Sequence, residues 1–544
     1  MQRNEVCLVT RQAKENPLFG VSWYFPNTYA VGMSGLGYQL VWSLIEQDPE
    51  VVVNRGFSDL EEPGASSSEL FGFTVSWELD FINILAILEK HGIAFRAADR
   101  EDDSPLVFGG GPVLSANPEP FADFFDVVLL GDAEAIVPHF INAWKTTRAL
   151  PGRQAKLQQL ATIPGVYVPS LYRHTYSSND GPIESIQTLS VVPTKITKQL
   201  YVPPSDYMAH TQILSPDTAW GDTFLAEIVR SCPQECRFCL ASFLTRPFRP
   251  INVDTIMNKI DIGLRHTNKI GLLGPSVTEH PHFDELAARL SQRDNIQISV
   301  ASIRADTISD TVLQMLRKLN QKSVTIAIES GSERLRAIMK KNLSEEEICR
   351  AVELIEASGL ESVKFYGIVG LPHESQDDLS ETVRLMQSLK KKHRRLRFVF
   401  GVSSFVPKAQ TPYQWNGRSK DCKARLEYIR KHLAKVGIEV RPESHNWSDI
   451  QALISRGDRR LTEPLIEVAK EGGNLGAWKK IFRQQKEFSM LDFYAFREIP
   501  ETEILPWEHL TENTKTEYLQ KHQLAAAQLA LTLNPQNLPG SGRG

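Results

Sequence analysis

Cysteine is scarce in this 544-residue sequence, with six in all. Six such residues, three of them in one cluster, exclude the disulfide framework of a small secreted scaffold and suit a reducing compartment. Long apolar runs are missing too. No segment reaches the ~18 uninterrupted apolar residues of a membrane span, and Met1 to Ser22 mixes charges with apolar residues, without the hydrophobic core of a secretion signal. A cytoplasmic protein with no membrane partner is expected. An excess of one charge is likewise absent: 61 Lys and Arg stand against 65 Asp and Glu, a formal net charge of -4, which leaves no global basic footprint for nucleic acid. The most basic run, Lys390-Lys391-Lys392-His393-Arg394-Arg395, falls at a predicted helix C-terminus, where cations complement the dipole and stay solvated. No aromatic platform is interleaved with it, so nucleic acid is not an expected partner. Hydrophobic content of 42% is that of an ordinary globular chain, here long enough for about three domains.

What is present begins with Ser231-Cys232-Pro233-Gln234-Glu235-Cys236-Arg237-Phe238-Cys239, which holds half of the cysteines in a Cys-x3-Cys-x2-Cys spacing. Three thiolates so close converge on one soft metal centre when the loop folds around it, and iron-sulfur clusters and zinc both take such ligands. Both normally want four. Cys7, Cys349 and Cys422 are scattered, and no His follows Cys239 at zinc-finger spacing, so a three-ligand site is the plainer reading.

Between Val21 and about Trp144, short apolar runs alternate with helical patterns. Val21–Phe25, Val51–Val53, Leu70–Val75, Leu106–Phe108 and Val127–Leu130 are predicted strands, and Gly35–Gln47, Phe81–Glu89 and Ala133–Trp144 are predicted helices. The alternation predicts a Rossmann-like open parallel sheet with helices on both faces. Ligands of such sheets lie beyond the strands' carboxyl ends, where Gly109-Gly110-Gly111 and Gly131 fall; tight strand-to-helix turns explain the same glycines. Residues 146–217 break the rhythm. Val166–Pro169 and Val191–Pro193 look extended, with turn chemistry at Ser177–Pro182 between them, which predicts a linker with a small hairpin.

From about Thr223 to Val406 six further strand-like runs occur: Thr223–Val229, Ile270–Leu273, Ile296–Val300, Val324–Ile328, Val363–Val369 and Phe398–Val402, with amphipathic helices such as Ser309–Leu319 and Ser344–Ala357 between them. Regular βα repetition predicts a parallel barrel or part of one, with chemistry at the strands' carboxyl ends. The cysteine loop follows the first of these strands. Beyond Trp415 the patterns are mostly helical, including Leu426–Val436, and Leu538 to Gly544 is expected to be a disordered tail.

The Cys-x3-Cys-x2-Cys spacing, with Phe238 just before the last Cys, resembles the signature of the radical S-adenosylmethionine (SAM) superfamily. The resemblance extends to the Gly-Gly-Gly-Pro and Gly-Asp-Ala-Glu turns of the first region, which are similar to those of the cobalamin-binding-like domain ahead of many radical SAM cores. Arg456-Gly457-Asp458-Arg459-Arg460 and Leu505-Pro506-Trp507 resemble the C-terminal extension of a family with that arrangement. The resemblance implies a Rossmann-like domain over 1–145, the linker over 146–217, a partial (β/α)6 barrel over 218–415 and a helical extension over 416–544. It implies a 4Fe-4S cluster on Cys232, Cys236 and Cys239, SAM on the open iron, and an external electron donor such as a flavodoxin or ferredoxin. Cobalamin is a third cofactor it admits. No Asp-x-His-x-x-Gly occurs, so a histidine ligand to cobalt is not supplied by that motif. His91, near a helix C-terminus, suggests a cap or surface role.

The strand ends then take implied roles. Phe238 lies near the adenine. Gly274-Pro275-Ser276 stands where the family often has Gly-Gly-Glu at the methionine amino group, with Ser276 departing from the pattern. Ser302 and Arg304 end the third strand, and Arg304 suits a carboxylate held bidentately or a plain ion pair. Glu329 and Ser330 suit ribose hydroxyls, helix capping at Ser332 being the plainer alternative. Gly370, in Gly367–Glu374, and Val406 line the adenine. Arg456, Asp458 and Arg459 suit either an anionic substrate or a structural salt-bridge network. The implied activity is reductive SAM cleavage, leading with cobalamin to methyl transfer onto an unknown substrate, and without it to hydrogen abstraction. A non-catalytic iron-sulfur binding or regulatory protein is the alternative. Methylthiolation is disfavoured, because Cys7, Cys349 and Cys422 form no second three-cysteine motif.

Overall fold

The computed structural model describes residues 4–11, 13–64, 68–484, 488–511 and 515–533. The predicted disordered tail lies outside them.

Apolar runs of β-branched and aromatic residues form the N-terminal sheet because both its faces are covered, the condition under which parallel strands read as near-continuous apolar stretches. Its spatial order is Val51–Gly56, Phe19–Tyr24, Leu70–Thr74, Leu106–Gly110, Val127–Leu129, Val166–Tyr167. The first five strands run parallel and the last antiparallel. The helices Leu36–Glu46, Phe81–Lys90 and Ala133–Thr147 match expectation to within a few residues. The chain runs from Phe19–Tyr24 to one neighbouring strand and then crosses to the other, which places a topological switch point at the carboxyl ends of Phe19–Tyr24 and Leu70–Thr74.

The segment expected as a linker differs in detail. Helix Arg153–Leu160 and strand Val166–Tyr167 complete the N-terminal sheet. The hairpin is built from Tyr172–Tyr176 and Ile183–Thr188 around the predicted turn. Val191, expected to be extended, is fully exposed and lies in no strand. Half-polar hairpin strands such as Ile183-Glu184-Ser185-Ile186-Gln187-Thr188 give a weaker apolar signal than Val191-Val192, which explains the misplacement.

The second sheet system is parallel throughout. Phe224–Glu227, Lys269–Leu273 and Gln297–Val300 pair in sequence, as do Ser323–Glu329, Ser362–Val369, Arg397–Ser404 and Glu439–Pro442. One bridge, Ile303 to Ile326, joins the two groups. The predicted helices carry the caps their sequences promise: Ser309 accepts from Val312 N, and Ser344 with Glu347 forms a reciprocal capping box. The region after residue 415 is mostly helical, beginning with Cys422–Ala434, and adds one strand the sequence did not predict, Glu439–Pro442. It is an edge strand of half-exposed polar residues ending in Pro, a composition tolerated only at an edge and lacking strand periodicity. Among the described residues no helix is long and apolar enough to cross a membrane.

Candidate functional site: the cysteine loop at the barrel mouth

The cysteine loop leaves the first barrel strand between two short elements that pair with each other. Val229–Arg230 runs antiparallel to Arg249–Pro250, so the chain closes a ring around residues 231–248. Ser231 and Glu235 adopt left-handed backbone within it, and Cys239 opens the short helix Leu240–Leu244. The loop is anchored to the segment after Ser323–Glu329. Arg237 N donates to Met339 O at 3.0 Å, and its guanidinium donates to the Ile338 and Ala337 carbonyls. Glu235 meets Lys340 at 2.6 Å, Arg246 at 2.7 Å and the Tyr518 hydroxyl at 2.8 Å, which docks the C-terminal helix Thr516–Thr532 on the loop.

Cys236 is buried, and Cys232 and Cys239 are half-buried. Burial pushes the Cys236 thiol up to about 12; Lys341 opposes the rise, while Cys239, Glu329 and Cys232 add to it. Burial raises Cys232 too. Ligation would remove those protons. Among the described residues the three thiol sulfurs do not all lie within 4.8 Å of one another.

The other strand ends surround this loop unequally. Lys341 Nζ lies 3.2 Å from Glu329 Oε1, and Glu329 has left-handed backbone at φ 63°. Burial lowers the Lys341 ammonium, but Glu329 and Cys236 outweigh it and hold it above its usual value. Ser330 is used inside the turn: its hydroxyl accepts from Ser332 N at 3.1 Å and lies 3.3 Å from Thr382 Oγ1, while Ser332 caps Glu333–Ile338. Arg304 already holds a carboxylate bidentately, with Asp306 at 2.7 Å, and also meets Glu279 at 2.9 Å and Asn342 O at 3.2 Å. Ser302 beside it is half-buried, Pro275 is exposed, and Ser276 is buried at the start of Val277–Glu279. Phe238 packs with Leu335, Met339, Leu371, Phe405 and Tyr413. Val406 packs against the large N-terminal core. Gly370 takes φ 76°, and a Cβ there would lie 2.6 Å from Cys422 Sγ. Its N–H donates to Glu374 Oε2 at 2.6 Å, which also accepts from Arg425 at 2.6 Å.

A cleft of about 370 Å³ lies between the loop and the N-terminal sheet, lined by Gly111, Gly131, Asp132, Glu134, Glu227, Arg230, Arg246, Arg249 and Gly274. The Gly-Asp-Ala-Glu turn acts here as a clamp. Glu134 meets Arg230 at 2.8 Å and Asp132 meets Arg249 at 2.5 Å, gripping both arginines that bracket the cysteine loop. Gly131, at φ 115°, is required because the Gln199 backbone crosses it, with Gln199 O 2.1 Å from where a Cβ would stand. A second cavity, of about 750 Å³, opens at the switch point between Asn27, Trp77, Asp80, Asn83, Trp447 and Gln451. No histidine lines either cavity.

His91 is the C-cap of Phe81–Lys90, as one of its two expected roles has it, but it is half-buried and not a surface residue. Its ring lies 2.8 Å from the Tyr24 hydroxyl and 3.0 Å from Glu61. The Arg456–Arg460 stretch proves structural. Arg456 donates to the Asn416 and Arg497 carbonyls, Arg459 to Glu119 and Asp458 accepts from Tyr494. Lys390 and Lys392 of the basic run are tied locally, to Leu396 O and Glu353. Sequence reasoning missed the Arg230 and Arg249 clamp and Lys341, since each pairs with a residue remote in sequence or lacking any motif.

Two protein families match parts of this chain. Residues 226–386 match the radical SAM superfamily and residues 37–169 the N-terminal region of radical SAM proteins. An uncharacterized protein, MJ0966, of Methanocaldococcus jannaschii is 29% identical over 85% of this chain and 94% of its own. An uncharacterized methyltransferase, PH0819, of Pyrococcus horikoshii is 21% identical over 66% of this chain and 74% of its own. The solved structure of the radical SAM methyltransferase TsrM of Kitasatospora setae, with tryptophan and a SAM analogue, covers 72% of this chain and 74% of its own at 12% identity and a TM-score of 0.47. With a cysteine loop at the mouth of a parallel partial barrel and family matches over both of its sheets, the chain is a member of the radical SAM superfamily.

Proposed function

We propose that Cys232, Cys236 and Cys239 hold a 4Fe-4S cluster, that SAM occupies the barrel mouth beside Glu329, Gly370 and Phe238, and that the enzyme transfers a methyl group to a substrate in the cleft facing the N-terminal sheet. The observation that carries this reading is the loop itself: a Cys-x3-Cys-x2-Cys segment closed by the pairing of Val229–Arg230 with Arg249–Pro250, anchored to Met339, Lys340 and Tyr518, with the flanking Arg230 and Arg246 lining the cleft. When bound, the cluster supplies the electron that splits SAM into methionine and a 5'-deoxyadenosyl radical. The chain's own part is to exclude water and fix distances. Glu235 locks the loop to three separate segments, and Lys341 keeps a positive charge beside Cys236.

Methyl transfer is supported by the name given to the Pyrococcus horikoshii relative. Methylthiolation is not: Cys7 is exposed in the short strand Val6–Cys7, Cys349 lies in the helix Glu345–Ala357, and Cys422 is buried against Gly370. Cobalamin is tested by the cavities. Both fall in the size range of a drug-like ligand, the Gln199 backbone lies against Gly131 in the lining of the smaller one, and no step is assigned to cobalamin.

Anaerobic reconstitution with iron, sulfide and hydroxocobalamin tests the proposal. About four irons per chain and 5'-deoxyadenosine formed from SAM are expected, both lost in Cys236→Ala; retained turnover in that variant would sink the assignment. Stoichiometric cobalt on the desalted protein supports cobalamin-dependent methyl transfer. Iron without cobalt favours direct hydrogen abstraction.

A further inference from the structure

Away from the cysteine loop, three side chains from distant parts of the sequence meet in the interior. Glu119 opens the turn Glu119–Phe124 of the N-terminal domain, His174 lies in the hairpin strand Tyr172–Tyr176, and His509 precedes Leu510–Thr511 near the C-terminus. Their potential ligand atoms all lie within 4.8 Å of one another. His174 Nε2 is 3.5 Å from Glu119 Oε2, and His509 Nε2 is 3.4 Å from Glu119 Oε1. The three side chains are at most 2% exposed.

Two imidazoles buried this deeply ordinarily place both ring nitrogens in hydrogen bonds, since each unsatisfied polar group costs about 1–3 kcal/mol. Here none of the four nitrogens of His174 and His509 has a hydrogen-bond partner among the described residues. The spacing supplies a reason. With metal–ligand bonds of 2.0–2.2 Å, neighbouring ligand atoms of a tetrahedral site stand about 3.3–3.6 Å apart, which spans the two His–Glu separations. These distances exceed good hydrogen bonds and match coordination edges.

We propose that Glu119, His174 and His509 bind one zinc ion, which joins the N-terminal domain, the hairpin and the C-terminal extension. Two imidazoles and one carboxylate form a donor set typical of zinc. Glu119 is fixed for the task by second-layer donors: Arg459 Nε at 2.7 Å on Oε2 and the Tyr167 hydroxyl at 2.5 Å on Oε1. A carboxylate has about four lone-pair positions, so these bonds leave capacity for a metal. The positive charge of Arg459 is countered locally, because the carboxylates Glu119, Asp123 and Asp458 act against the guanidinium groups of Arg459 and Arg460. No role in SAM chemistry is assigned to the ion; with three protein ligands the fourth position of a tetrahedral zinc falls to water.

The test must keep the cysteine loop from taking zinc. The full-length Cys232→Ala/Cys236→Ala/Cys239→Ala variant, prepared with added zinc and desalted, is expected to hold one zinc per chain. X-ray absorption should show nitrogen and oxygen neighbours with imidazole outer shells and no sulfur. Adding His509→Gln or His174→Asn, each preserving volume and polarity, should lower zinc at least about tenfold in protein still folded by circular dichroism. Chelation should lower the melting temperature of the triple-cysteine variant. A folded triple-cysteine variant without zinc would overturn the proposal, as would zinc bound through sulfur or zinc retained in full by both histidine variants. Should either histidine variant fail to fold, the metal content and absorption spectrum of the triple-cysteine variant decide alone.

Discussion

Arg230 Nη2 donates to Glu134 Oε1 at 2.8 Å, tying the residue just ahead of the cysteine loop to the Gly-Asp-Ala-Glu turn of the N-terminal sheet. The link makes the position of the loop depend on a domain that contributes none of its cysteines. Glu227 and the Tyr207 hydroxyl complete the network around the same two groups.

Glu134→Gln should therefore weaken more than a surface pair would. Glu134 is buried and Arg230 nearly so; Arg230 keeps Glu227 and Asp132, and the weakened charge-assisted bonds cost about 1.5–3 kcal/mol. Urea denaturation checks the stability. Iron content after reconstitution should stay near wild type while 5'-deoxyadenosine formation falls, because the loop survives but its placement loosens.

Lys341 and Glu329 offer a cleaner separation of charge from packing. Lys341→Met strands a buried carboxylate, and a loss of about 3 kcal/mol is expected; Lys341→Met combined with Glu329→Gln should recover most of it. A double-mutant cycle on unfolding free energies measures the coupling. SAM affinity, read by calorimetry on cluster-loaded protein, should fall in both single variants and stay low in the double, since neither side chain is then available at the barrel mouth.

Gly370→Ala tests a tight turn at the barrel mouth. Its left-handed backbone and the contact with Cys422 Sγ both oppose a Cβ. Strain of this kind costs about 1–3 kcal/mol. Cys422→Ala in the same chain should restore only part of the loss, because the sulfur contact is relieved and the backbone strain is not.

Much of this architecture was legible because it is written locally. The cysteine loop announces itself by spacing, the buried parallel strands by unbroken apolar runs, and the helices by caps such as Ser309 and Ser344. What was not legible is written across distance. Arg249 and Asp132 are 117 residues apart, and Glu119 and His509 farther still, so no window of sequence holds both partners. Glu439–Pro442 escaped for the opposite reason: an edge strand half open to water has no apolar face to display. Arg304, singled out as a carboxylate binder, does bind carboxylates, but they are Glu279 and Asp306 of its own chain.

Glu374 predicts a pH dependence whose sign follows from its surroundings. Burial pushes its carboxyl up to about 7, against the Gly370 N–H and Arg425, which pull the other way. The folded state therefore holds this proton more tightly than the unfolded chain, whose carboxyl titrates near 4.5. The stabilisation is complete below about pH 4.5 and is lost as pH rises to about 7. Its size is on the order of 3 kcal/mol, at 1.36 kcal/mol for each unit. Glu374→Gln carries an uncharged group at every pH and keeps an acceptor for the Gly370 N–H. Wild type and variant should have similar melting temperatures near pH 5, and by pH 8 the variant should melt higher. A variant that is equally or more destabilised at pH 8 would mean that the ion pair with Arg425 dominates, and that Glu374 is ionised when it fixes the turn at Gly370.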